Sequence, residues 1–412
     1  MAEQAVTVAL VGTLDTKGAE YQWMADQLEA HGVSVLVVDV GIQSPHGFTG
    51  RIDSSQDDVA AAVGTSIEAL RTGNDRGVAV TAMGEGAAVV LGRLLTQGTL
   101  DGVLALGGSG GSSIAARAVR DLPVGLPKLI VSTMASGDVS PYVGASDVTL
   151  MYSVVDIAGI NQVSRAVLGN AAAAIAAMAK SRAARNVETA HDDKPLIGAS
   201  MFGVTTPAVD AARERLEELG YEVLVFHATG SGGRALEALA RSGMLAGVLD
   251  LTTTELADEL VGGVLTAGPD RLTAAGASGL PQVVSLGALD MVNFGPEATV
   301  PSTFAEREFF VHNATVTLMR TTPEENAELG RIVGEKLAGK PNTVLIIPRG
   351  GVSALDAEGM PFRDEAADAA LFDAVIAAAT GISIIESDAN INDATLARRA
   401  ADELHALIGG LS

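Results

Sequence analysis

The residues best suited to chemistry sit in short glycine- and hydroxyl-rich stretches, each directly after a run of aliphatic residues. Gly107-Gly108-Ser109-Gly110-Gly111-Ser112-Ser113 follows one such run and leads into the helix-like IAARAV. Glycines let a backbone approach a ligand closely, and successive amides at a helix start form a nest for an anion. A tight strand–helix turn has little need of four glycines in five residues, so the expected role is a phosphate cradle. Its spacing is neither GxxxxGK[ST] nor GxGxxG. A second stretch, Gly12-Thr13-Leu14-Asp15-Thr16-Lys17-Gly18, offers hydroxyls to the free amides of a helix and Lys17 to an anion. The plainer alternative there is an ordinary capped helix start. A third, Ser132-Thr133-Met134-Ala135-Ser136-Gly137-Asp138, could bond a ribose or phosphate, with Asp138 holding Mg2+ through water. Local turn hydrogen bonding explains that stretch equally well.

The second half of the chain carries parallel features. His227-Ala228-Thr229-Gly230-Ser231-Gly232-Gly233-Arg234 is again a glycine loop after an aliphatic run, now with a His and an Arg attached. Arginine gives bidentate contacts to carboxylate or phosphate. Thr252-Thr253-Thr254-Glu255 follows the next run, and Asp290 the one beyond. A lone Asp or His at a strand end is usually a cap or turn residue, whereas several at successive ends suggest a small-molecule site. His312-Asn313, Asn390 and Asn392 are weaker candidates, and Asp393 is expected to cap the last helix.

Two other chemistries deserve weighing. Gly107-x-Ser109-x-Gly111 fits the nucleophile elbow of α/β-hydrolases, and His227, His312 or His405 could complete the triad order on paper. In so glycine-rich a loop that pattern is weak. The six histidines are scattered without HxH or HxxxH spacing, which disfavours zinc or iron catalysis. With no cysteine, thiol nucleophiles, disulfides and iron–sulfur clusters are excluded.

The elements that must position these residues occur twice. Leu28 to Gly41 (LEAHGVSVLVVDVG) answers Leu216 to Gly230 (LEELGYEVLVFHATG), each a helix end, a terminating glycine and a β-rich run. VTVALVG from Val6 answers PLIGASMFG from Pro195, GVLALGG from Gly102 answers GVLDLTT from Gly247, and LPKLIVS from Leu126 answers LPQVVSL from Leu280. Strands alternating with helices imply parallel sheets. The expectation is two Rossmann-like, doubly wound α/β domains related by duplication, over residues 1–185 and 195–412. The polar stretch Ser181 to Lys194 would link them. Ligands of such sheets bind beyond the carboxyl ends of the strands, which is where the glycine loops fall.

Composition agrees with this plan. At 412 residues the chain is long enough for two domains, and 48% of it is hydrophobic. The net charge of −23 repels nucleic-acid phosphate and anionic lipid, so neither is an expected partner. The amino terminus reads as a first strand and not as a signal peptide. Ala166 to Ala179 is too short for a membrane span and is broken by Gly169 and Asn170, so a buried helix and a cytoplasmic protein are expected.

Longer stretches carry a family resemblance. GTLDTKG (12–18), LALGGSGG (104–111), PKLIVSTMASGDV (127–139), MYSVVDIAGIN (151–161), MFGVTTPAV (201–209), VFHATGSGGRALE (225–237), GVLDLTTTE (247–255) and GALDMVNF (287–294) appear in order, followed by HNATVTLMRT (312–321). The chain resembles a widespread family that shares the ATP-binding amino-terminal domain of the tomato mosaic virus resistance protein, a tobamovirus replication inhibitor. The resemblance implies ATP and Mg2+ as ligands and a homodimer. By the matched motifs, the nucleotide would lie against Gly12 to Lys17, Gly107 to Ser112 and Thr133 to Gly137. The plant protein carries a further barrel-like domain, so a separate barrel protein is an expected partner. Viral inhibition does not carry over.

The function expected from these readings is an ATP-dependent enzyme, a transferase or ligase, acting on a small acidic metabolite between the two domains. Domain one would hold ATP, and domain two would present the metabolite through His227, Thr229, Gly230, Gly232, Gly233, Arg234, Thr252 to Glu255 and Asp290. No residue stands out as a general base, which leaves open a non-catalytic nucleotide-binding scaffold.

Overall fold

The computed structural model describes residues 5–187 and 194–410. The chain divides into two compact units, Met1–His191 and Asp192–Ser412.

In the first unit, β1 (Thr7–Gly12) is followed by α1 (Leu14–Ala30) and β2 (Ser34–Asp39). Three helices, α2 (Gln56–Ala61), α3 (Ile67–Gly73) and α4 (Arg76–Thr96), lead to β3 (Gly102–Gly107) and α5 (Ser109–Val119). Then come β4 (Lys128–Ser132), the short α6 (Ser140–Val143), β5 (Thr149–Tyr152) and α7 (Gln162–Val187). The five strands form one parallel sheet in the order β2-β1-β3-β4-β5. Alternate residues of each strand feed opposite faces. Ala9 and Val11 pack with α2 to α5, while Val8 and Leu10 pack with α1 and α7. The sheet is therefore covered by helices on both sides, which explains its nearly unbroken aliphatic strands.

The second unit repeats the plan. Its first elements are β6 (Leu196–Met201), α8 (Thr206–Glu218), β7 (Glu222–His227), α9 (Ser231–Arg241), β8 (Leu245–Thr252), α10 (Glu255–Val261), α11 (Ala274–Ala277) and β9 (Gln282–Gly287). An excursion through β10 (Met291–Phe294), β11 (Phe309–Asn313) and β12 (Val316–Arg320) follows. The chain then returns through α12 (Pro323–Leu337), β13 (Thr343–Pro348), α13 (Glu365–Ala378), β14 (Ser383–Ser387) and α14 (Ala394–Gly409). The parallel sheet reads β7-β6-β8-β9-β13-β14, so its first five strands occupy the same relative places as those of the first unit. Each strand pair matched in the sequence occupies an equivalent position.

Three features were not legible beforehand. The antiparallel sheet β10-β12-β11 is an insertion in the second unit. Helix α7 continues through Ser181 to Val187, so the amino-terminal half of the expected linker is helical; residues 188–193 lie outside the described residues. Among the described residues, α4 has the length and hydropathy of a membrane span, rather than the Ala166–Ala179 stretch. Its Ala79, Met83, Ala87 and Leu91 pack into the sheet core, as in a core helix of an α/β layer. The expected cap is present: Asp393 accepts the amides of Thr395 and Leu396 at 2.9 and 3.0 Å.

Candidate functional site

In the first unit β1 and β3 are neighbours although the chain leaves one for β2 before returning to the other, so connections depart in opposite directions at this point. That is the switch point where open α/β sheets bind ligands. The strands pair from Val8↔Gly102 to Val11↔Ala105 and then part. Tyr21 of α1 fills the gap. Its hydroxyl accepts the Leu106 amide at 2.9 Å and lies 2.8 and 2.7 Å from the carbonyls of Val11 and Leu106. A Cβ on Gly12 would fall 1.9 Å from the Tyr21 ring, so Gly12 makes room for this pin and is not among the residues that line the neighbouring cavity.

Beyond the pin lies a cavity of about 490 Å³, within the usual size of small-molecule sites. One wall is the glycine turn. Gly107 and Gly111 approach so closely that a Cβ on Gly107 would sit 2.8 Å from the Gly111 Cα. Gly108 is the N-cap of α5 with no side chain to satisfy the helix amides, and Gly108, Ser109, Gly110 and Gly111 face the cavity. The free amides and the positive end of the helix dipole therefore point at whatever occupies it. An apolar part of the lining comes from Val40, Ile42, Ala79, Val80, Met83 and Ile114.

The floor comes from the start of α1. Thr13 is its N-cap but makes no capping bond; its hydroxyl lies 2.8 Å from that of Thr16. The helix is interrupted at Lys17 (φ −134°, ψ 26°), whose ammonium donates to the Ile157 carbonyl. Asp15 accepts the amides of Ile42 and Gln43 on Oδ2 at 3.0 and 2.9 Å, while its buried Oδ1 has no partner. Asp39 accepts the Leu14 and Gly41 amides. Burial nevertheless pushes its carboxyl above the ordinary value, assisted by the nearby charge of Asp15.

The third expected loop stands beside the cradle. Ser112 and Ser132 are buried, with hydroxyls 2.6 Å apart, so Ser112 fastens α5 to β4 and turns away from the cavity. Thr133 donates its amide to Gly107, and a Cβ on Gly108 would lie 3.7 Å from its hydroxyl. Thr133, Met134, Ala135, Ser136 and Gly137 form a turn that does not line the cavity. Asp138 is exposed, and hydrogen bonds from Ser140 hold its carboxyl below the usual range.

The second unit treats its loops differently. Glu255 is fully buried and places Oε1 on the amides of Gly230 (2.7 Å) and Gly233 (3.0 Å). A Cβ on Gly233 would fall 2.0 Å from this carboxylate. Thr252, Thr253 and Thr254 are buried as well; Thr252 meets Thr205 at 2.7 Å and Thr253 bonds the Ser285 carbonyl. Arg271, also buried, joins Glu255 at 2.6 Å and grips Asp250 with two nitrogens at 2.5 and 2.7 Å. His227 and Arg234 are exposed, and Arg234 donates to the Thr266 carbonyl. Gly232 packs on the His227 carbonyl, and Thr229 is half-buried. His405 bonds the Tyr221 hydroxyl.

Asp290 is buried apart from that loop, where Ser353 donates to it at 2.7 Å. It belongs to a cluster with Asp356, Asp368, Arg320 and Arg363. Burial, together with the neighbouring acids, raises the carboxyls of Asp290 and Asp356 above the carboxylate range. Among the described residues no group of three or more metal-ligating side chains occurs.

The comparisons with known proteins follow the two units. The amino-terminal domain of the uncharacterised protein family UPF0261 matches residues 6–184, and its carboxy-terminal domain matches residues 194–408. The chain belongs to this family. A UPF0261 protein of Clostridium tetani is 52% identical over 96% of this chain and 98% of its own length. The tomato ToMV resistance protein Tm-1(GCR237) is 42% identical over 88% of this chain but only 50% of its own length. A UDP-N-acetylglucosamine 2-epimerase from Rickettsia bellii aligns over 68% of this chain and 79% of its own, at 10% identity and a TM-score of 0.22, too low to bear on fold or function.

In this UPF0261 chain the cavity gathers Thr13, Asp15, Thr16, Lys17 and Gly108 to Gly111 from two separate sequence motifs. It adds Gly41, Ile42 and Gln43 after β2, and Arg76 with the apolar face of α4. Those additions escaped the sequence reading because α4 reaches the site only after an excursion through α2 and α3. The single local signal is Arg76 itself, a cation at a helix start.

Proposed function

We propose that the first unit of this UPF0261 protein binds ATP with Mg2+ and that the protein is an ATP-dependent cytoplasmic enzyme, a transferase or ligase of a small acidic metabolite. The observation that carries the reading is the cavity at the β1/β3 switch point, whose lining combines free helix amides with aliphatic side chains. Such a lining suits a phosphate chain joined to a flat, largely apolar base. The choice of ATP rests on the family resemblance.

In this reading the amides of Gly108 to Gly111 hold phosphate oxygens, with Thr13 and Thr16 offering hydroxyls and Lys17 a cation. Lys17 has donors to spare beyond the Ile157 carbonyl. The unpartnered Oδ1 of Asp15 suits Mg2+, which is held by one or two carboxylates together with phosphates and water. Bound there, the ion would neutralise phosphate charge. On the metabolite side, the exposed His227 and Arg234 are the groups able to reach a ligand, since Thr252 to Glu255 are turned inward. A homodimer and a separate barrel partner complete the proposal; the tomato relative extends well beyond the aligned region.

Turnover tests it. Purified protein would be incubated with ATP and Mg2+ and a panel of small carboxylic and phosphorylated acids. The proposal expects ATP consumption that depends on one acid. Binding without consumption across the panel would leave a nucleotide-holding scaffold, and absence of binding would reject both.

A further inference from the structure

We infer that Arg76 is the specificity-determining cation of the first-unit cavity, closing on the phosphate chain held by Gly108 to Gly111 and so selecting phosphorylated over unphosphorylated adenosine. The inference rests on the nucleotide reading above.

Arg76 is the first residue of the 21-residue helix α4. A cation there opposes the positive end of the helix dipole, where a carboxylate would be favoured. The adjacent Asp75 makes no ion pair with it; its Oδ1 instead accepts the amides of Gly77 and Val78 at 2.8 and 3.1 Å. In a chain of net charge −23, the guanidinium nevertheless has no hydrogen bond or ion pair among the described residues.

Its position gives the reason. A Cβ built on Gly110 would lie 3.1 Å from Arg76 Nη2, so the guanidinium sits directly over the glycine cradle. Two sources of positive potential thus converge on one volume: the α5 amides and a full guanidinium charge. With no anion between them, these groups repel one another. Folding alone gives nothing for this arrangement, whereas a phosphate entering the gap would satisfy both, with the planar fork of arginine matched to two of its oxygens. A side chain at Gly110 would start in the same gap, its Cβ 3.1 Å from the guanidinium.

The test is titration of the wild type, Arg76→Ala and Arg76→Lys with Mg-ATP and, separately, with adenosine. Because Arg76 is exposed, the variants should melt with the wild type. Loss of one charge-assisted contact should weaken ATP about 10-fold or more in Arg76→Ala, leave adenosine unchanged, and give an intermediate loss in Arg76→Lys. Equal ATP affinity in Arg76→Ala and wild type would overturn the inference. So would equal losses for ATP and adenosine, which would place the guanidinium on the base. If the wild type bound neither ligand, the nucleotide reading itself would fall and Arg76 with it.

Discussion

Glu255 receives Arg271 Nε on one carboxylate oxygen at 2.6 Å and the Gly230 and Gly233 amides on the other at 2.7 and 3.0 Å. The glycine loop of the second unit thus holds an anion supplied by the chain itself. In the first unit the glycine turn after β3 faces a cavity, with no side chain at its N-cap to fill it. The glycine loop after β7 is thus closed from within, whereas the glycine turn after β3 is open.

Removing the internal anion should be costly. Glu255→Ala would leave Arg271 facing only Asp250 and Glu237 and strip two buried amides of their acceptor. Breaking one partner of a buried ion pair costs about 3–5 kcal/mol. The variant's thermal midpoint should fall accordingly and recover partly in added acetate, while the wild type should ignore acetate. A variant as stable as the wild type would show that this carboxylate does not hold the loop.

The pin at the switch point should matter to the first unit. Tyr21→Phe removes the hydroxyl that accepts the Leu106 amide between the parting strands. The expected loss is about 1–3 kcal/mol for buried groups left unpaired. Hydrogen exchange should show the Leu106 amide losing protection before the remainder of β3. Unchanged protection there would contradict the pin.

Stability should also depend on pH in a particular sense. Burial pushes Asp258 up to about 7 from an ordinary 3.8 and raises Asp290 and Asp356 as well. A carboxyl raised in the folded state holds its proton there and loses it on unfolding. Stability is therefore greatest at low pH and drains away as pH climbs through the folded value, by up to about 1.4 kcal/mol per pH unit for each group. Urea midpoints should fall between about pH 5 and pH 8. Asp356→Asn, which fixes one member of the cluster in a neutral form, should flatten the slope. A midpoint rising over that interval would refute the assignment.

Much of this architecture was legible in the sequence, because period, glycine placement and repetition are local signals. The strands VTVALVG, GVLALGG and LPKLIVS and their second-unit counterparts fall at matching places in the two sheets. The glycine turn at 107–111 indeed opens a helix. What a side chain meets across the fold left no local trace. Nothing in HATGSGGR announces that its amides are taken by Glu255, nor does DRGVAV reveal that Arg76 overhangs Gly110. Likewise the inserted sheet β10-β12-β11 is set by long-range antiparallel pairing, such as Met291 with Arg320, that no period discloses.

The central claim is that the first-unit cradle binds the phosphates of ATP, and calorimetric titration with ATP and Mg2+ of wild type against Gly110→Asp tests it most directly. A carboxylate at this position would enter the gap beneath Arg76, 3.1 Å from its Nη2 even at the Cβ, and fill the cradle from within as Glu255 does in the second unit. The account expects the wild type to bind and the folded variant to lose binding. Binding of equal strength in both proteins would contradict it.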